Sequence, residues 1–480
     1  MTDPALAGTT SGVVRGSAGD GLYVFRGVPY AAPPVGPARW RTARPHPGWP
    51  GERDATRYGP SAPQPWRPEG IPAIGRHGEP PFDEDCLTLN VWTPAPDDAA
   101  RPVLVWIHGG GFLSGSGNLP VYAGDTFARD GDMVAISVNY RLGPLGMLTG
   151  LGDPNVWLSD QVAALRWIHD NVAAFGGDPG RITVAGQSGG AFSVAALAQH
   201  PQARGLFQRG ILQSPPTGLD LPTAAEATKQ TELLARLLGH EDVADLRAEP
   251  WERLIQGTVG VMMAGAGFGQ WNLAFLPVLD EAFLPADPMI ALADDDVDVI
   301  IGWTSEEAAF AFGFDPAYAA TAREQVVAWA AARYGDDAAA VYDARAAAAP
   351  GAKPLDVLIQ VFTDDFFIGG ARDLAARRAS RRPVHAYQFE VRTPRLDGTP
   401  NAAHCGELPF TFGNIERWGS PPIVRGLSAA VAEHATRVLH NAWIGFVRDG
   451  SPRHPGAPDW RPYTEGDPAI LTVGPDYARS

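Results

Sequence analysis

Two short stretches of the 480-residue chain carry residue types able to transfer an acyl group. The first is Gly186-Gln187-Ser188-Gly189-Gly190, a G-x-S-x-G pattern. It follows the strand-like run "RITVAG" and precedes small residues, Ala191 to Ala198, that suit a tightly packed helix. In a strand–turn–helix setting such a serine sits on a strained turn, its hydroxyl standing above the sheet edge and free to attack a carbonyl. Side chains at Gly186 or Gly190 would crowd the adjoining strand and helix. The first N–H groups of the new helix point to where an oxyanion would form. A chain with 55 glycines can also produce the pattern by chance, in an ordinary loop, but the flanking strand and helix favour the elbow.

The second stretch is His108-Gly109-Gly110-Gly111-Phe112, directly after the apolar run "PVLVWIH". Three glycines in a row let backbone amides approach a bound carbonyl unobstructed, as in the HGGG-type oxyanion loop that accompanies a serine elbow. A phosphate-cradling loop would want Lys-Ser/Thr after it, and none is present. His108 is expected to orient this loop rather than act as a base.

Residues 102–108 and 133–140 are continuous apolar, β-branched runs, expected as strands buried on both faces of a mostly parallel sheet. The clearest helix lies in 158–179, with Ser159 as its expected N-cap and Gly176-Gly177-Pro179 as its stop. A hairpin is expected from Val13-Val14 through Gly19-Asp20-Gly21 to Leu22–Phe25, and an irregular proline-rich loop system over 31–82. Further strands are expected at 297–303 and 384–390. A helix is expected over 427–449, with Leu427, Val431, Val438 and Ala442 on one face and Gly450 ending it. Strands alternating with helices define an α/β fold class with a large, mostly parallel central sheet.

Composition narrows the function. With 38 basic and 54 acidic residues the net charge is −16, which argues against nucleic acid or an anionic membrane as a partner. The N-terminus has neither the basic start nor the apolar run of a secretory signal, and no stretch approaches the roughly 18 apolar residues of a membrane span. Cytoplasmic is the expectation, although a chain whose signal had been removed would read the same. Two cysteines, Cys86 and Cys405, are too few for a disulfide framework or a cysteine metal site. A monomer or a small homo-oligomer is expected.

The chain resembles the type-B carboxylesterases, especially bacterial para-nitrobenzyl esterases and, more distantly, cholinesterases. The matching stretches are "FRGVPYAAPPVGPARW" (25–40), "EDCLTLNVWTP" (84–94), "WIHGGGF", "VNYRLGPLG" (138–146), "GQSGG", "GLFQRGILQS" (205–214), "IIGWTSEEAAF" (300–310) and "NAAHCGELPFTFG" (401–413). The resemblance implies one α/β-hydrolase domain over 1–480, with insertions forming an active-site gorge. It also implies a serine hydrolase of carboxylic esters that uses no metal or cofactor and acts on a small-molecule ester. The triad implied is Ser188, Glu307 and His404, with Glu306 where the family usually has Asp. The amides of Gly110, Gly111 and Gly189 are implied as the oxyanion hole.

Trp66, Phe82, Trp271, Phe310, Phe312 and Phe314 fall in regions that line the gorge of similar enzymes, with ordinary core packing an equal alternative for each. Glu84, Arg141 and Asp160 are read as buried ion-pair elements. Cys86 has Ala62 where the family often has a disulfide partner, so it is expected to be a free buried thiol. Cys405 is read as a packing residue rather than a nucleophile. Two departures flank the serine, Gln187 for the usual Glu and Gly189 for the usual Ala. Loss of the carboxylate beside the imidazole makes protonation of His404 less favourable. No tryptophan stands where a choline site would need one shortly before Cys86. Carbamate or aryl-amide hydrolysis is the runner-up activity, because the same acyl chemistry serves it. A non-catalytic binding protein on this fold is the competing class, and the presence of the serine, glutamate, histidine and glycine loop speaks against it.

Overall fold

A computed structural model describes residues 5–67, 70, 75, 80–271, 273–281, 283–419, 421–455 and 458–474. Twelve strands form one sheet. They are β1 (Ala5–Thr9), β2 (Gly12–Gly19), β3 (Leu22–Pro29), β4 (Glu52–Asp54), β5 (Thr88–Thr93), β6 (Arg101–Ile107), β7 (Val134–Val138), β8 (Gly177–Gln187), β9 (Arg209–Gln213), β10 (Asp298–Thr304), β11 (Val384–Phe389) and β14 (Ile470–Val473). A small separate ribbon pairs β12 (Thr393–Pro394) with β13 (Pro400–Asn401).

The main path runs β1-β2-β3-β5-β7-β6-β8-β9-β10-β11-β14, with β4 beside β2. Pairing is antiparallel from β1 to β7 and parallel from β7 to β14. The parallel part is where the apolar runs are unbroken, because crossover helices cover both faces there. Val103–Ile107 and Ile182–Gln187 are buried throughout.

The expected strands at 102–108, 133–140, 297–303 and 384–390 are present with ends shifted by a residue or two. The hairpin joins β2 to β3, its turn held by Asp20 (φ 53°) and Gly21 (φ 75°). The 31–82 segment is irregular except for β4 and a short 3₁₀ turn, Gly36–Ala38, and part of it lies outside the described residues. β1 was not anticipated, because Ala5–Thr9 lacks the β-branched run that marks an interior strand.

The long helix corrects one expectation. It spans Val156–Asn171 and is preceded by Asn155 at φ 49°, so Ser159 lies inside the first turn and is not the N-cap. Val156, Trp157 and Leu158 are all buried, and that burial carries the helix one turn further back. The Ser159 hydroxyl instead accepts from Ala43 N–H at 2.8 Å. The C-terminal helix spans Ala429–Asp449, capped by Ser428 and closed by Gly450 at φ 72°, which leaves Leu427 outside it. Among the described residues no helix is long and apolar enough to cross a membrane.

Two ion pairs tie the irregular N-terminal segment to this frame. Arg141 binds Asp160 through Nε–Oδ2 at 2.8 Å and Nη2–Oδ1 at 2.6 Å, and its Nη2 also donates to Arg41 O at 2.8 Å. Arg39 Nε donates to Glu84 Oε2 at 2.6 Å and Nη1 to Glu249 O at 2.7 Å. The first pair is almost wholly buried, at 3% and 0% side-chain exposure. Asp160→Asn leaves the Arg141 charge buried without a counter-ion, so equilibrium unfolding in urea should show a loss of about 3–5 kcal/mol.

Candidate active site

The parallel strands deliver the chemistry at their carboxyl ends: β6 leads to the glycine loop, β8 to Ser188, and β10 to Glu307. The chain beyond β11 brings in His404. Ser188 sits at φ 57°, ψ −125°, a conformation an L-residue adopts only under constraint. Its N–H donates to Gln213 O at 2.9 Å, and its C=O accepts from Phe192 N–H at 3.0 Å. A β-carbon at Gly186 would lie 2.4 Å from the Gly190 carbonyl carbon, and one at Gly190 would lie 2.1 Å from Ile107 O. The elbow glycines are therefore steric requirements of the strand–helix junction.

The glycine loop packs against the same turn. A β-carbon at Gly109 would come within 2.6 Å of Gln187 O, and one at Gly110 (φ 116°) within 2.0 Å of Ser114 O. Among the described residues, the N–H groups of Gly110, Gly111 and Gly189 have no acceptor within the protein. Gln64, which sequence reasoning missed, clamps the loop from outside: its Oε1 accepts from Gly115 N–H at 2.8 Å and its Nε2 donates to Gly115 O at 2.9 Å. His108 is buried and stacks on Tyr140 at 4.6 Å, and the Tyr140 hydroxyl donates to His108 O at 2.8 Å. Burial pushes the His108 imidazole down to about 4, which fits a neutral ring that shapes the loop.

Glu307 and His404 meet because two loops are stitched together through the backbone. Glu306 N–H donates to Ala402 O at 3.1 Å, and His404 N–H donates to Glu307 O at 3.3 Å. Glu306, in the family's usual Asp position, fixes the pairing through Oε2, which accepts from Ala402 N–H at 2.8 Å. The result is a 2.5 Å contact between His404 Nδ1 and Glu307 Oε2, with Glu307 Oε1 accepting from Thr304 N–H at 2.7 Å. A carboxylate accepting at Nδ1 fixes the tautomer with its lone pair on Nε2. Gln187 Nε2 lies 3.0 Å from that nitrogen.

A cavity of ≈ 730 Å³ opens over Ser188. Its inner wall is aromatic: the His404 ring has Trp271 at 5.4 Å, Phe310 at 5.6 Å and Phe367 at 5.0 Å between centroids. Its outer wall is the helix Trp251–Ala264, with Ile255, Val259, Met262 and Met263. Arg67 and Glu252 are the charged residues on the lining, so the chamber around the serine is apolar and neutral.

Of the aromatic residues expected here, Trp66, Trp271 and Phe310 line the cavity. Phe82 does not, and stands behind Trp66 at 6.1 Å. Phe312 and Phe314 are turned into the core, because the short helix Ala309–Phe312 offers only Phe310 to the gorge. Phe366 and Phe367 were missed. They lie in a π-helical turn, Asp364–Ile368, that lets consecutive residues both reach the cavity. Gly218 N–H donates to Phe366 O at 2.9 Å and Thr217 Oγ1 donates to Phe367 O at 2.8 Å, which satisfies the carbonyls of that turn. Nothing in the consecutive phenylalanines of "DDFFIGG" announces the extra residue per turn.

Cys86 and Cys405 are both free and buried. Burial pushes both thiols up, and the Glu407 and Glu307 carboxyls add to the effect at Cys405. Neither suits a nucleophile, which works as a thiolate. Among the described residues no group of three or more His, Cys, Asp or Glu is arranged to hold a metal ion.

A serine on a glycine-flanked elbow, an HGGG loop beside it and a carboxylate–imidazole pair at the strand ends define an α/β-hydrolase. The Carboxylesterase family model matches residues 3–479, and the chain belongs to that family as a carboxylic ester hydrolase. It is 59% identical over 478 residues to phenmedipham hydrolase of Pseudarthrobacter oxydans, covering 100% of this chain and 97% of that protein. It is 32% identical over 471 residues to para-nitrobenzyl esterase of Bacillus subtilis, covering 95% and 92%. In structure it matches a Geobacillus stearothermophilus carboxylesterase with a TM-score of 0.86 at 33% identity, over 98% of this chain and 96% of that one.

Glu407, three residues past His404, is fully buried. Its Oε1 accepts from Gln213 Nε2 at 3.2 Å, and its Oε2 has no partner among the described residues. Burial first, and the neighbouring Glu307 carboxylate second, push its acid from an ordinary 4.5 up to about 8. The folded protein thus holds a proton that the unfolded chain releases. The stability this contributes is fully present below the ordinary carboxylate range and is lost as pH rises to about 8. Wild type should therefore lose more stability than Glu407→Gln between pH 5 and pH 8, by on the order of a few kcal/mol in parallel denaturant titrations.

Proposed function

We propose that Ser188, His404 and Glu307 form the catalytic triad and that the amides of Gly110, Gly111 and Gly189 form the oxyanion hole. The contact that carries this reading is the 2.5 Å pair between His404 Nδ1 and Glu307 Oε2, set beside a serine held at φ 57°. Ser188 Oγ attacks the substrate carbonyl as His404 Nε2 takes its proton, and the tetrahedral oxyanion faces the three N–H donors. Collapse passes the proton from Nε2 to the departing alkoxide, which leaves an acyl-enzyme. Water, deprotonated at the same nitrogen, releases the acid and restores Ser188. Glu307 orients the imidazole and stabilises the imidazolium.

The neutral aromatic chamber suits uncharged esters with apolar or aryl groups. A second reading rests on the 59% identity to a protein named phenmedipham hydrolase: the same triad cleaves aryl carbamates by way of a carbamoyl-enzyme. Carbamates deacylate more slowly than esters because the nitrogen lone pair weakens the carbonyl as an electrophile.

With p-nitrophenyl butyrate, Ser188→Ala should lower kcat by about 10⁶-fold and Glu307→Gln by about 10⁴-fold, with folding intact by circular dichroism. Near-normal turnover in Glu307→Gln would show that the acid lies elsewhere. With an aryl N-arylcarbamate, stopped-flow should record one phenol released per active site before slower steady turnover. No phenol release with that substrate would sink the carbamate reading and leave the ester reading standing.

A further inference from the structure

The general base is already occupied in the resting enzyme, and its occupant is not the serine. With Nδ1–H committed to Glu307, the only lone pair on the His404 ring is at Nε2, and the side-chain nitrogen of Gln187 lies 3.0 Å from it. An amide NH₂ can donate to that lone pair, whereas an amide oxygen would face it lone pair to lone pair. The Ser188 hydroxyl makes no hydrogen bond to His404 or to any other described residue.

Gln187 is 1% exposed, and its amide nitrogen is held at His404. Its Oε1 lies against the glycine loop, 2.9 Å from where a β-carbon on Gly109 would stand. One amide hydrogen therefore faces the imidazole.

We infer that Gln187 is a latch on the base: its amide holds the His404 Nε2 lone pair off Ser188, and the contact must open before Ser188 can give up its proton. The inference rests on the triad reading above. Once Nε2 has taken the serine proton it becomes a donor, and an amide N–H can no longer face it, so the latch is open while the acyl group is being transferred. Gln187 is on this account a positioning residue, acting on Ser188 through His404. A carboxylate at the same place could not close the latch, because it has no hydrogen to give.

Phosphorylation of Ser188 by diethyl 4-nitrophenyl phosphate measures the nucleophile directly. The Ser188 Oγ–P bond forms, the P–O bond to 4-nitrophenolate breaks, and the serine proton goes to His404. Q187M keeps the side-chain length and removes the donor; the rate of nitrophenolate release should rise by about two- to tenfold, the equilibrium weight of one ordinary hydrogen bond. Thermal unfolding verifies that the variant is folded, and mass spectrometry locates the label. Label on Ser188 with an unchanged or slower rate in folded Q187M overturns the latch alone. A wild-type enzyme labelled elsewhere than Ser188 overturns the triad reading and the latch with it.

Discussion

Everything at the active site depends on a turn that only glycine can flank. Ser188 holds φ 57°, ψ −125° because β8, the helix Gly189–Gln199 and the end of β6 press on it from three sides. A conformation of this kind costs on the order of 1–3 kcal/mol. It persists because the backbone bonds from Ser188 to Gln213 and Phe192, and the contact of Gly190 with Ile107, leave no room to relax. The same closeness sets the glycine loop over the elbow. Access to the proposed oxyanion position is thus a by-product of how tightly β6 and β8 pair.

The proposed acid and base are joined by a different kind of constraint. Glu307 and His404 are far apart in sequence, and their side chains meet only because the 304–307 and 402–404 segments exchange backbone hydrogen bonds. Glu306 stiffens that exchange, and its own charge is met by Arg392 at 2.9 Å. The rings of Trp271, Phe310 and Phe367 then surround His404, whose Nε2 faces Gln187.

These two constraints were unequally legible in the sequence. The elbow and the glycine loop are contiguous, and their steric logic can be argued from residue types alone, as can the buried strands β6 to β8. Glu307 and His404 could be picked from 54 acids and 11 histidines only through family resemblance, because what unites them is tertiary backbone pairing with no local pattern. The Gln64 clamp and the π-helical turn at Phe366-Phe367 left no signal, since each depends on partners brought from distant loops. The helix beginning at Val156 rather than Ser159 shows burial overriding a good capping residue.

The charges of the site explain why the departure at Gln187 is tolerable. A catalytic cycle creates one cation, the imidazolium, and one anion, the oxyanion, and each needs a single partner. In the proposed cycle Glu307 answers the first and the N–H groups of Gly110, Gly111 and Gly189 answer the second. A further ionised carboxylate beside His404 would be a charge with no counterpart in a chamber whose inner lining is neutral. Glu407 avoids that conflict by keeping its proton through neutral pH, held there by burial and by the Glu307 carboxylate. Gln187 avoids it by having no charge at all, and its amide hydrogens instead serve the neutral, resting form of the base. Buried charges elsewhere, such as Arg141 and Asp160, are paired with each other, and the chamber around Ser188 is left without an unpaired carboxylate beside His404.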